Sequence, residues 1–138
     1  MAKLCIADMK TLIVDDQTSN RYDLEKILKG MGFVHIDQAP DAEEAAGKME
    51  KTLYNIVFID WNMPGRSGYS LLQQCRGERE YDNTAFVIVS AESGKHYIVE
   101  ALKAGATAYI VKPAVEDTLK KQMERVFSWI DQRTAQKT

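Results

Sequence analysis

The stretch Asn55-Ile56-Val57-Phe58-Ile59 runs directly into Asp60-Trp61-Asn62-Met63-Pro64, an apolar segment stopped by an acid and a proline-bearing turn. The run is short, nearly all apolar and carries β-branched Ile and Val, as expected of a strand buried on both faces. Strands of that kind belong to parallel sheets covered by helices on either side. In such a sheet, chemistry gathers where strands end at their carboxyl edge, so Asp60 is the residue to explain.

Three further runs read the same way: Thr11-Leu12-Ile13-Val14, Ala85-Phe86-Val87-Ile88-Val89 and Ala108-Tyr109-Ile110-Val111. A weaker one, Phe33-Val34-His35-Ile36, alternates and is expected at or near an edge. Helical patterns separate them. Residues 19–30 carry Tyr22, Leu24, Ile27 and Leu28 and stop near Gly30 and Gly32. Asp41 followed by Glu44 forms a capping box that opens a helix through Met49. Residues 68–76, 94–104 and 115–131 supply three more, the last with Leu119, Met123, Val126, Phe127 and Ile130 on one stripe. Strand and helix alternate five times over short connections, which predicts an α/β fold with a doubly wound, five-stranded parallel sheet.

The 138 residues make one domain's worth of chain, large enough to bury a core without staples. We read residues 1–138 as a single domain with a core of about 10–131 and a frayed polar tail over 132–138. Hydrophobic residues are 45% and charged residues 28%, with a net charge of −2 and both signs interspersed. That balance leaves no footprint for direct nucleic-acid binding and no polybasic patch for a membrane surface. No apolar run approaches the ~20 residues of a membrane span. Met1 to Asp8 lacks a secretory core, so the expected location is cytoplasmic. Cys5 and Cys75 are too few and too scattered for a disulfide framework or a zinc site, and neither has an activating neighbour. His35 and His96 have no ligand-spaced companions and read as surface residues; Trp61 reads as a partner contact or an exposed aromatic.

The residues just past the apolar runs carry the chemistry. Asp15 and Asp16 follow the first strand, Asp60 the third, Ser90 the fourth, and Lys112-Pro113 the fifth. Three carboxylates on one rim repel one another unless a cation neutralises them, and oxygen-only ligands with room for water suit Mg²⁺. The same ion can screen an incoming phosphoryl group and let a carboxylate attack phosphorus. A lysine opposite supplies a point charge for phosphate oxygens, and a serine hydroxyl a hydrogen bond. No basic residue sits where it would activate water, which argues against repeated hydrolysis of outside substrates.

With Asp15-Asp16, Asp60-Trp61-Asn62-Met63-Pro64, Ser90-Ala91-Glu92, Gly105-Ala106, and Tyr109 ahead of Lys112-Pro113, the chain resembles a response-regulator receiver domain. Within that family it is most similar to the single-domain chemotaxis (CheY-like) type. The resemblance spans nearly the whole chain and implies a flavodoxin-like fold. It also implies two-component signalling in which Asp60 takes a phosphoryl group from a histidine kinase or phosphotransfer protein. Asp16 would ligate Mg²⁺ directly and Asp15 mainly through water, with Asp60 and the backbone carbonyl of Asn62 completing the set. Ser90, Ala91 and Lys112 would be the phosphoryl-binding residues. Ser90 would then be drawn inward and Tyr109 move with it, altering the face of the fourth helix, fifth strand and fifth helix for a downstream effector protein. The resemblance further implies a cis Lys112–Pro113 bond.

Two places depart from the chemotaxis type: Ala114 replaces its usual Phe, and Ser93-Gly94-Lys95-His96 lacks its lysine pair. Both touch the output face, so a flagellar-motor partner does not follow from the resemblance. Asn62 and Glu92 match that type and are the expected lifetime-tuning residues. With an amide and a carboxylate at the rim and a small Ala91, water reaches phosphorus and self-catalysed dephosphorylation is expected to be fast. An aspartyl phosphatase is disfavoured because the position two past Asp60 holds Asn62 rather than a second acid. A flavin or nucleotide carrier is disfavoured because Asp15-Asp16 stand where a phosphate loop would be needed. The segment beginning at Met1 and the short tail point to a stand-alone protein rather than a fragment of a larger regulator.

Overall fold

A computed structural model describes residues 5–136. The elements are β1 (Lys10–Val14), α1 (Thr18–Gly30), β2 (His35–Ala39), α2 (Ala42–Lys51), β3 (Ile56–Ile59), α3 (Gly68–Arg76), β4 (Ala85–Ser90), α4 (Lys95–Lys103), β5 (Ala108–Val111) and α5 (Glu116–Gln136). All strand pairs are parallel, in the order β2-β1-β3-β4-β5, so the expected five-stranded doubly wound sheet is the one that forms.

The period-two alternation of the strands divides the interior into two layers. Leu12, Val14, Val57, Ile59, Phe86 and Ile88 face α2, α3 and α4, meeting Ala45, Leu71, Leu72 and Ala101. Ile13, Phe58, Val87, Val89 and Ile110 face α1 and α5, meeting Leu24, Leu28, Leu119, Met123 and Val126. Strands β3 and β4 are buried throughout, which is why their sequences show no polar alternation. Each fully buried Leu, Ile or Phe contributes about 1.5–3 kcal/mol of transfer free energy. The edge strand β2 alternates between exposed and partly covered residues, as its sequence implied. It lies further along than predicted, at His35–Ala39, because Phe33 is buried against α5 instead of pairing in the sheet.

The helix starts follow local chemistry. The Asp41 side chain accepts from the Glu44 N–H at 2.8 Å, the capping half of the predicted box. Ser67 caps α3 in the same manner at 3.1 Å. The expected tail over 132–138 is corrected in part: α5 continues as helix through Gln136, with the Arg133 guanidinium 4.7 Å from the Trp129 ring. Residues 137 and 138 lie outside the described residues.

Candidate functional site

The chain turns back at β1, running to β2 on one side and then crossing to β3 on the other, so a crevice opens at the carboxyl ends of β1 and β3. Sheet hydrogen bonds continue one residue beyond the strands and pin the polar residues there. The Asp60 N–H donates to the Val14 carbonyl at 2.9 Å, that of Asp15 to Ala39 at 3.2 Å, and that of Lys112 to Ser90 at 2.8 Å. Asp15 Oδ1 also accepts from the Gln17 N–H at 2.9 Å, a turn that orients its carboxylate.

These restraints bring Asp15, Asp16 and Asp60 together, with one carboxylate oxygen from each lying within 4.8 Å of the others. Asp15 and Asp60 are buried while Asp16 is exposed. Lys112 Nζ lies 2.9 Å from Asp15 Oδ2 and 3.4 Å from Asp60 Oδ2, and its peptide bond to Pro113 is cis. One cation therefore faces three anions. Burial pushes the Asp60 carboxyl above its ordinary range, with the negative charge of Asp15 adding to the rise; Lys112 and the Asn62 N–H oppose it. A compact, oxygen-only donor set with excess negative charge fits a hard divalent cation such as Mg²⁺. A cleft of about 350 Å³ opens beside it, with Asp15, Asp60, Lys112, Leu24 and Ala114 in its walls.

Ser90 ends β4 fully buried, and its Oγ accepts from the Glu92 N–H at 3.1 Å. The Glu92 carbonyl accepts from the Tyr109 hydroxyl at 2.7 Å, and its carboxylate accepts from the Asn62 amide at 3.3 Å. Glu92 thus ties together the three residues singled out from sequence at the rim and beneath it. Ala91 is exposed beside them. Tyr109 is buried, which raises its hydroxyl pKa.

Trp61 departs from expectation. It is only 9% exposed, stacked on Tyr69 and met edge-on by Tyr97, so it is neither an exposed aromatic nor open to a partner. Gly68 was also missed. An added Cβ there would sit 2.0 Å from the Asp60 carbonyl oxygen, while the Gly68 N–H donates to Trp61 O at 2.9 Å. Only glycine lets α3 start this close behind the acid, and a lone Gly opening a helical stretch carries no such signal in sequence. Arg21, whose guanidinium donates to the Asp15 carbonyl at 2.6 Å and to Gln38 at 3.0 Å, was likewise invisible until α1 packed beside β2.

A doubly wound sheet with an acid cluster and a lysine at its switch point defines a receiver-type α/β protein. Residues 11–124 match the response regulator receiver domain family, and the chain belongs to that family of phospho-accepting switches in two-component signalling. It is similar to chemotaxis protein CheY-3 of Vibrio cholerae, at 36% identity over 120 residues covering 87% of this chain and 92% of that protein. Chemotaxis protein CheY of Pseudomonas aeruginosa is 32% identical, over 89% of this chain and 99% of its own. Among solved structures, chemotaxis response regulator CheY4 of Vibrio cholerae superimposes with a TM-score of 0.78 at 30% identity, covering 86% of this chain and 98% of that one. The CheX–CheY complex with beryllofluoride and magnesium from Borrelia burgdorferi gives 0.79 at 31% identity, covering 86% of this chain and 89% of the matched one. Among the described residues, no helix is long and apolar enough to cross a membrane.

Proposed function

We propose that Asp60 is the phosphoacceptor of this receiver, taking a phosphoryl group from a histidine kinase or phosphotransfer protein in the presence of Mg²⁺. The observation that carries the reading is the packing of Asp60 against two further carboxylates and one lysine at the sheet's switch point. Asp60 Oδ attacks phosphorus while the bond from phosphorus to the donor breaks and the donor keeps that electron pair. Asp15, Asp16, Asp60 and the Asn62 carbonyl would hold Mg²⁺, which when bound supplies positive charge to the transferring phosphoryl oxygens. Lys112 is already within reach of Asp60 and supplies the second positive charge. Ser90 offers its hydroxyl, and Ala91 lies beside it at the rim.

The signal leaves through Ser90, Glu92 and Tyr109, which are connected by direct hydrogen bonds. The face of α4, β5 and α5 is the proposed effector surface; Val99 and Leu102 of α4 support this, each large, apolar and 40% exposed. Water attacking phosphorus past Asn62 and Glu92 ends the signal. Incubation with acetyl phosphate and Mg²⁺ tests the reading: one phosphate should be added, on Asp60, and none in Asp60→Asn. Undiminished labelling of Asp60→Asn refutes the assignment.

A further inference from the structure

Trp61 follows Asp60 in the chain, and its ring is the centre of an aromatic cluster that the proposed phosphotransfer chemistry does not use. Its centroid lies 4.8 Å from Tyr69 of α3 in a stacked arrangement and 5.3 Å from Tyr97 of α4, edge to face. Tyr109 of β5 lies 6.5 Å away, tilted. Both short contacts fall in the range where aromatic pairs add attraction beyond the area they bury. The same Tyr109 donates its hydroxyl to the Glu92 carbonyl, and Glu92 is tied to Ser90 and Asn62. Rings and hydrogen bonds therefore close a circuit: from Trp61 through Tyr109 and Glu92 to Asn62, which adjoins Trp61 again. Tyr97 stands outside the circuit and presses Trp61 from the α4 side.

We propose that Tyr97, acting through Trp61, is a positioning residue that holds Tyr109 in its bond to Glu92 and so braces the switch in the unmodified chain. The inference rests on the phosphorylation reading and concerns its regulation. If Tyr109 has a second position away from Glu92, the aromatic cluster favours the first. Taking the connected arrangement of Ser90, Glu92 and Tyr109 as the one the phosphorylated chain uses, the brace lowers the free energy of reaching it, because the aromatic cluster favours it beforehand. A binding-competent state populated to a fraction f weakens apparent affinity by that fraction, so loosening the brace weakens every ligand that requires the connected state. Tyr97 is half-buried on α4, and its ring meets Trp61 at 5.3 Å and His96 at 4.2 Å, so its replacement loosens the ring of Trp61 directly.

The probe is beryllofluoride with Mg²⁺, titrated into the full chain carrying Trp129→Phe so that Trp61 is the sole indole. Half-saturation is read from Trp61 fluorescence, and the Tyr109 ring is followed in fluorotyrosine NMR spectra. Tyr97→Ala should raise the half-saturating concentration about 2- to 12-fold, the weight of one aromatic pair. It should also shift the Tyr109 resonance before any ligand is added. Tyr97→Phe keeps the ring and should stay within about twofold of the parent. Tyr97→Leu, which preserves apolar bulk, should behave like Tyr97→Ala and answers for any loss of packing. An unchanged midpoint in either Tyr97→Ala or Tyr97→Leu overturns the brace, as does a Tyr97→Phe that falls as far as Tyr97→Ala. Failure of the parent itself to respond, or to be labelled by acetyl phosphate, would instead remove the phosphorylation reading.

Discussion

Replacing Lys112 by Ala leaves Asp15, Asp16 and Asp60 facing one another without the ammonium that touches two of them. At an effective dielectric of about 20, unit charges at the observed 2.9 and 3.4 Å attract by roughly 6 and 5 kcal/mol. Those are ceilings. The lysine side chain is 19% exposed and the two carboxylates 8% and 9%, so much of the attraction repays desolvation. Removing one partner of such a group typically costs about 3–5 kcal/mol, and residual solvent around Lys112 places the expected loss at about 2–4 kcal/mol. A domain of this size has about 5–15 kcal/mol to lose, so the variant should fold.

The loss should depend on pH. Asp60 is already raised by burial, and loss of Lys112 raises it further. A carboxyl whose folded pKa exceeds its unfolded value stabilises below the unfolded pKa, and that contribution disappears as pH rises through the folded pKa. The penalty of Lys112→Ala should therefore be smallest below the ordinary carboxylate range and grow as pH rises above it. Mg²⁺ should recover part of it, since an ion that binds only the folded chain stabilises by RT ln(1 + [Mg²⁺]/Kd). Urea unfolding across that pH range, with and without Mg²⁺, gives the numbers. A penalty that is flat in pH and indifferent to Mg²⁺ would refute the charge argument and leave Lys112 as a packing residue.

Asp60→Asn should raise metal-free stability at neutral pH, because it removes a buried charge near Asp15, and should lose the stabilisation by Mg²⁺ seen in the parent; thermal melts with and without the ion decide this. Glu92→Lys or Asn62→Arg should lengthen the phosphate lifetime by putting a cation at the rim, measured as loss of label after the donor is removed; unchanged decay in both, or parent phosphate persisting for hours, sinks the rim argument. Gly68→Ala should destabilise by about 3 kcal/mol or more, an exceptional cost for adding one methyl group, because that group would overlap the Asp60 carbonyl and force α3 away; equilibrium unfolding measures it. Cys5 should react with a thiol reagent at pH 8 while Cys75 stays inert until the chain unfolds, since burial pushes the Cys75 thiol up to about 12.

The positions of Asp15, Asp60 and Lys112 were legible in the chain because they are set by where buried strands stop. A parallel strand covered on both faces must be apolar throughout, so its first charged residue marks the carboxyl edge. The helix start at Asp41 was legible for a similar reason: a capping side chain reaches only three residues along its own backbone. What could not be read is contact between residues that only the packed sheet brings together. Trp61 seemed exposed because it lies in a turn between an acid and Asn62, yet Tyr69 and Tyr97 arrive from two different helices to cover it. β2 starts later than its apolar run, at His35, because Phe33 packs on α5 instead of joining the edge strand. Glu92 looked like a rim residue alone, and its backbone link to Tyr109 depends on how β5 pairs beside β4. Strand ends, caps and the identity of the site's charged groups are properties of local sequence. Which rings touch, which carbonyl a hydroxyl finds, and how near a helix may approach an acid are decided only when the layers close, because those contacts join segments far apart in the chain.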